Sequence, residues 1–195
     1  LNAFITVDGD KALASAQQAV RAAPSSATAQ IALSYAQQAR FDLGGARESL
    51  KTAVKLDPQN ALAWARLAEL HSSFGDLKQA LEAAQKAVAL EPDLSRTQTV
   101  LGYAYLTQVK MKPAKQAFEK AIVLDQADPL PRMGLGLAKI REGDLPGGSG
   151  DIEIAAKREV LVDHLDAGGA RIRRAAEANL PPVEAHGAGG RRVED

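Results

Sequence analysis

Three histidines, His71, His164 and His186, are the side chains of this 195-residue chain best suited to proton transfer near neutral pH or to holding a metal ion. Their neighbours build no site. His71 falls on a helical apolar stripe with no companion ligand, so it reads as a helix-contact residue. His164 stands between Asp163 and Asp166, but side chains one or two positions apart on a helix do not face each other. His186 lies in a glycine-rich stretch near the end. Gly147-Gly148-Ser149-Gly150 could in principle offer backbone amides to a phosphate. No strand precedes it, no P-loop lysine follows, and Asp151 would repel an anion, so the sequence reads it as a loosened turn. Arg171, Arg173, Arg174, Arg191 and Arg192 form a modest basic cluster, diluted by Glu177, Glu184, Glu194 and Asp195. These residues point to no catalytic centre, no cofactor and no metal.

Composition narrows the field further. Cysteine is absent, which removes disulfides and thiolate chemistry and leaves the compartment open. Lysine and arginine total 24 and so do aspartate and glutamate, so nothing favours nucleic acid or an anionic membrane as the main partner. No apolar run approaches the roughly 18 residues of a membrane span. Hydrophobic residues make up 46% but aromatics only 4%, so the core must rest on close helix contacts between alanines. The chain begins at Leu1 rather than methionine, which reads as a fragment or a processed form.

The elements come from a repeat. Ala19, Ala53, Ala87, Ala121 and Ala155 follow one another at intervals of 34 residues. Pro24, Pro58 and Pro92 keep the same interval, as do Leu33, Leu67, Leu101 and Leu135. Small residues hold the column Ser34, Ala68, Gly102, Gly136, and Ala12, Ala46, Ala80 and Ala114 form another before Gly148 replaces the expected alanine. Such a period marks a stack in which each unit packs only on its neighbours. Within a unit the apolar spacing is helical. Leu62, Trp64, Leu67, Ala68, Leu70 and His71 give one stripe; Leu77, Ala80, Leu81, Ala84, Ala87 and Val88 give the next. Phe74-Gly75-Asp76 breaks the two apart, with Gly75 free to turn left-handed, and Pro92 stops the second. Ser26, Asn60 and Asp128 are placed to cap the first helix of their units; Leu94 breaks that column, with Ser95 a candidate one residue later. Pro129 and Pro113 suit helix starts.

This pattern resembles the tetratricopeptide repeat family. The match is clearest from Ala61 to Leu94, where Trp64, Leu67, Ala68, Gly75, Ala80, Ala84, Ala87 and Pro92 fill the family's columns. The unit Ser95–Asp128 adds Leu101, Gly102, Tyr105, Ala114, Phe118 and Ala121. The resemblance implies an all-α, right-handed superhelical solenoid of stacked antiparallel helix pairs. Its parts would be a half repeat over residues 1–26, of which Gly9 to Pro24 is the second helix, and an array over 27–157. The array divides into 27–60, 61–94, 95–128 and a divergent 129–157. Residues 158–195 do not keep the interval. They read either as a cap or disordered tail, or as sequence foreign to the fold such as a shifted frame; Lys157 to Asp166 could prolong the preceding helix, and Ala170 to Ala178 could form a short one.

Function follows from the resemblance rather than from any motif. Family members bind extended peptides or helices on the concave face made by successive first helices. By register that face holds Ile31, Tyr35 and Gln38, then Leu62, Glu69 and Ser72, then Arg96, Thr99, Tyr103 and Leu106, then Leu130, Met133, Leu137 and Ile140. Arg66, Glu69 and Arg96 would set its polarity, with tyrosine and apolar side chains as anchors. One subfamily grips a terminal carboxylate; Ile31, Tyr35 and Val100 stand at three of those positions here, so no such clamp is expected. The expected protein is a non-catalytic scaffold for a protein or peptide ligand, without nucleic acid, membrane span or cofactor. Alternatives are self-association through open repeat ends, or the non-catalytic arm of a larger enzyme.

Overall fold

The computed structural model describes residues 2–166, with side chains from Gly9 to Lys157. The chain divides into two compact units, Leu1–Ala156 and Lys157–Asp195, and the architecture below is that of the first. Gly168-Gly169, the arginine-bearing stretch from Ala170 to Ala178, His186 and the rest of the tail lie outside the described residues, as does the side chain of His164.

The described residues form helices and no strand. They are α1 (Asn2–Ala22), α2 (Ala27–Ala39), α3 (Leu43–Leu56), α4 (Ala61–Ser73), α5 (Leu77–Leu90), α6 (Ser95–Thr107), α7 (Met111–Leu124), α8 (Leu130–Arg141) and α9 (Leu145–Asp166). Each helix packs on the next through α8, and α4 also packs on α6 and α6 on α8. Among the described residues, the second helices α3, α5 and α7 make no comparable contact with one another. The first helices α4, α6 and α8 therefore form the crowded, inner side of a helical-repeat solenoid.

The alanine columns explain that closeness. Ala46, Ala80 and Ala114 are fully buried, and so are Ala53, Ala87 and Ala121. A methyl side chain keeps neighbouring helix axes near, and larger groups fill the remaining gaps. Phe118 is the largest of them, with no exposed surface. It lies in a slot floored by Gly102 and Gly134, where an added Cβ at either glycine would fall inside the ring's van der Waals envelope. Tyr103 closes the slot edge-on, its ring centroid 5.0 Å away.

Four turns join the first helix of a pair to the second with one geometry. The amides of Asp42, Asp76, Lys110 and Asp144 donate to the carbonyls of Gln37, His71, Tyr105 and Lys139 at 2.9–3.0 Å, the six-to-one bond of a Schellman motif. The residue before each must adopt positive φ: Phe41 at 62°, Gly75 at 77°, Val109 at 59° and Gly143 at 93°. Glycine does this freely. A β-branched valine there costs about 1–2 kcal/mol, set against the roughly 0.5–1 kcal/mol that glycine loses in chain entropy. Val109 is mostly exposed and contributes little packing. Val109→Gly is accordingly expected to raise the unfolding free energy by about 0.5–1 kcal/mol in urea titration.

Loop chemistry fixes the joins between pairs. The side chains of Ser26 and Asn60 accept from the amides of Ala29 and Ala63, as their positions require. Leu94 makes no such cap, and Ser95 does not take its place: its hydroxyl donates across the stack to the Ala121 carbonyl at 3.0 Å. Helix α8 begins one residue later than the Asp128-Pro129 pair suggests, with Pro129 as its N-cap, and Asp128 accepts from the Leu130 amide. Pro113 lies at the third position of α7 rather than the first. Trp64 Nε1 donates to the Pro58 carbonyl, and one period later Gln98 Nε2 donates to that of Pro92. Tryptophan and glutamine thus do the same tethering.

The glycine-rich stretch is a correction to the sequence reading. Gly147 to Gly150 are helical, inside the first turns of α9, and not a loosened turn. Asp144 caps that helix by accepting from the Gly147 amide at 3.0 Å. Gly148 then meets Gly136 of α8 backbone to backbone: a Cβ on Gly148 would lie 2.6 Å from the Gly136 carbonyl and 2.5 Å from Ile140 Cγ1. Close approach at the bare glycine surfaces is what these residues supply. Restoring the column alanine by Gly148→Ala should destabilise by about 1–3 kcal/mol despite alanine's better helix propensity, read as a lowered denaturation midpoint. Helix α1 also differs, running unbroken from Asn2 through Gly9.

Candidate functional site

Two adjoining clefts form among the first helices α2, α4, α6 and α8. One, of about 270 Å³, is lined by Thr28, Ile31, Tyr35, Asn60, Leu62, Arg66 and Arg96. The other, of about 260 Å³, is lined by Glu69, Ser72, Arg96, Thr99, Val100, Tyr103, Thr107 and Leu130. Arg96 belongs to both walls.

A polar chain runs beneath that shared wall. Glu69 accepts from Arg66 Nη1 at 2.8 Å and from Arg96 Nη2 at 2.5 Å, so one carboxylate holds two guanidinium groups from two helices. Arg66 also donates to Gln38 and lies over the Tyr35 ring, 4.1 Å from its centroid. It is only 9% exposed. Its Nε is buried and has no acceptor. The helix spacing produces this arrangement: Arg66 and Glu69 are three apart on α4 and share a face, and α6 sets Arg96 against them.

The aromatic walls differ in character. Tyr35 is 52% exposed and Leu62 51%, so both stand open. Tyr103 is half-buried; its hydroxyl donates to the Leu130 carbonyl at 2.9 Å. Burial first, and the nearby Asp128 charge second, push its phenol pKa upward, so it remains a neutral donor.

Other predicted site residues are placed less openly. Leu106 is buried with Ala114, Phe118, Leu135 and Ala138, inside a core cluster rather than on the face. Thr99 is buried, its hydroxyl turned back to the Ser95 carbonyl at 2.8 Å, although it borders a cleft. Met133 and Ile140 are half-buried and Leu137 is exposed, and none of the three lines either cleft. Val100 and Thr107 do line one. Val100 occupies the column of Arg66, one period on, so extending that column would have found it.

Among the described residues no group of three histidine, aspartate or glutamate side chains could hold a metal ion. His71 is buried, with Nδ1 3.5 Å from Asp76 Oδ2 at the start of α5. Among the described residues no helix is long and apolar enough to cross a membrane.

Two tetratricopeptide repeat family models match the chain, one over residues 37–102 and one over residues 95–128. Residues 37–128 are tetratricopeptide repeats, and the helical-repeat fold is that of a protein-interaction scaffold. Among solved structures it is similar to TTC0263, a thermophilic TPR protein in Thermus thermophilus, at 20% identity and a TM-score of 0.70, covering 92% of this chain and 95% of that one. Pseudomonas aeruginosa pilF gives 22% identity and a TM-score of 0.66, covering 91% of this chain and 87% of that one. MamA gives 24% and 0.63, covering 79% of this chain and 90% of that one. At such identities the likeness is one of fold. No curated protein sequence matches the chain.

Proposed function

We propose that this chain is a non-catalytic scaffold that binds a peptide or a helix on the face formed by α2, α4 and α6, the concave side of its repeats. The units would run 27–60, 61–94, 95–128 and 129–157, after a lone second helix within residues 1–26. The observation that carries this reading is the pair of adjoining clefts joined at Arg96, with open apolar and tyrosine walls. Exposed tyrosine and leucine beside half-buried arginine is the composition of an interface centre. Peptides of 12 residues selected from a random display library on the wild-type protein provide the test. Tyr35→Ala/Leu62→Ala is expected to weaken the selected peptides at least tenfold in fluorescence anisotropy while remaining folded, as verified by urea titration. Unchanged affinity would move the site elsewhere.

A second reading, self-association, has its own support. Ala12 and Ala19 are exposed on α1, whereas their counterparts Ala46, Ala80, Ala114, Ala53, Ala87 and Ala121 are wholly buried. An alanine-lined groove of about 610 Å³ lies between α1 and α2, and no described helix covers it. A helix of a second copy would supply the missing cover. Mass measured by light scattering over a range of concentrations separates the readings: Ala12→Lys/Ala19→Lys should abolish any concentration-dependent increase.

A further inference from the structure

We infer that the alanine groove between α1 and α2 pairs with its own copy: α1 of a second chain lies in it, antiparallel to the first α1, the two chains being related by a two-fold axis. This rests on the self-association reading above and names the helix that fills the groove and the symmetry of the pair.

The stack itself contains a filled version of this groove. Five of the lining residues, Ala12, Ala16, Ala19, Tyr35 and Ala36, recur two periods on as Ala80, Ala84, Ala87, Tyr103 and Ala104 of α5 and α6. That counterpart holds α4, which packs on both helices. Ala65 and Ala68 of α4 share one buried cluster with Ala84, Ala87 and Ala104. The groove therefore suits a helix that brings small side chains, three apart, onto its alanines. Size across this crossing is complementary. Phe118 and Ile152 face Gly102 and Gly136, whereas Ala84 packs with Ala68. Ala16 stands in the column of Ala84, Phe118 and Ile152, so alanine or serine fits over it.

A second copy brings such a face on its own α1. Ala12 and Ser15 stand three apart, as do Ala16 and Ala19, and Ala12, Ser15 and Ala19 are exposed. Helix α4 cannot serve in trans, because Ala65 and Ala68 are already buried in its own stack. Direction agrees as well. Short connections make each helix antiparallel to the next, so α4 runs antiparallel to α5 and parallel to α6. A two-fold axis crossing α1 between Ser15 and Ala16 sets the second α1 antiparallel to the first and parallel to α2, the same pair of directions. It also sets Ala12 of each copy opposite Ala19 of the other. None of the residues lining the groove is charged, so the pairing buries no charge.

Cross-linking tests this directly, because the chain has no cysteine and an introduced one reports only its own surroundings. Ser15→Cys, beside the axis, should form a disulfide-linked dimer under mild oxidation at least tenfold faster than Gln17→Cys, which is exposed on α1 outside the groove. Mixed Ala12→Cys and Ala19→Cys chains should link to each other at least tenfold faster than either links to itself. Adding Ala12→Lys/Ala19→Lys to the Ser15→Cys chain should slow its linking to the Gln17→Cys rate, with urea titration verifying the fold. Equal rates for Ser15→Cys and Gln17→Cys, or no preference of Ala12→Cys for Ala19→Cys, overturn the two-fold pairing. If light scattering then still shows mass rising with concentration, self-association stands through another surface. If the mass stays that of one chain, both readings fall.

Discussion

Phe118→Ala should lower the unfolding free energy by about 3–5 kcal/mol, more than any other single truncation in the stack. Phe118 is fully buried, and its surroundings are shaped around the ring. Gly102 and Gly134 floor the slot from two different first helices, and Tyr103 closes it. Truncation leaves a cavity that two glycines cannot fill, because they have no side chains to move inward. Helices α6, α7 and α8 lose a common contact at once, so the unfolding midpoint in urea should fall with little change in slope. Gly134→Ala attacks the same slot from the other side and should cost about 1–3 kcal/mol by overpacking. A paired variant, Gly134→Ala/Phe118→Leu, should recover part of that loss, since a smaller side chain makes room for the methyl. Additive losses in the double variant would mean that the two positions do not share one space.

That slot also marks how far the sequence could be read. Columns repeated every 34 residues carried the helix pairs, because an alanine column and a proline column report local constraints that recur. Gly75 and the caps at Ser26 and Asn60 were legible for the same reason. Exceptions to a column were harder to interpret. Phe41 and Val109 take the left-handed turn position without being glycine, since the Schellman bonds and flanking helices over-determine their φ. Gly147 to Gly150 read as a loosened turn, yet the Asp144 cap and the approach of Gly136 hold them helical. Gly134 stands where other units have Ala32, Arg66 and Val100, and its reason is Phe118, on a different helix. The binding face was legible as a set of register positions. Its electrostatics were not, because the Arg66–Glu69–Arg96 chain joins helices in different units. Leu106 shows the reverse error: its column holds Gln38 at the edge of the stack, but around Phe118 the same position turns into the core.

Glu69→Ala should cost about 2–3 kcal/mol, a large effect for a side chain near the surface. The wild-type carboxylate neutralises Arg66, which is nine-tenths buried and is positioned by Tyr35 and Gln38. Removing it leaves a buried guanidinium facing a second one across the cleft wall. Truncating one member of a fully buried pair costs about 3–5 kcal/mol; the 27% exposure of Glu69 and 36% of Arg96 admit water and reduce that figure. Arg66→Met provides the contrast. It removes the buried charge together with its need for a partner, keeps much of the apolar stem, and leaves Glu69 paired with Arg96, so its loss should stay below about 1.5 kcal/mol. The order of the two variants in urea titration is the decisive result. If Arg66→Met were the more damaging, the carboxylate would not be compensating a buried charge.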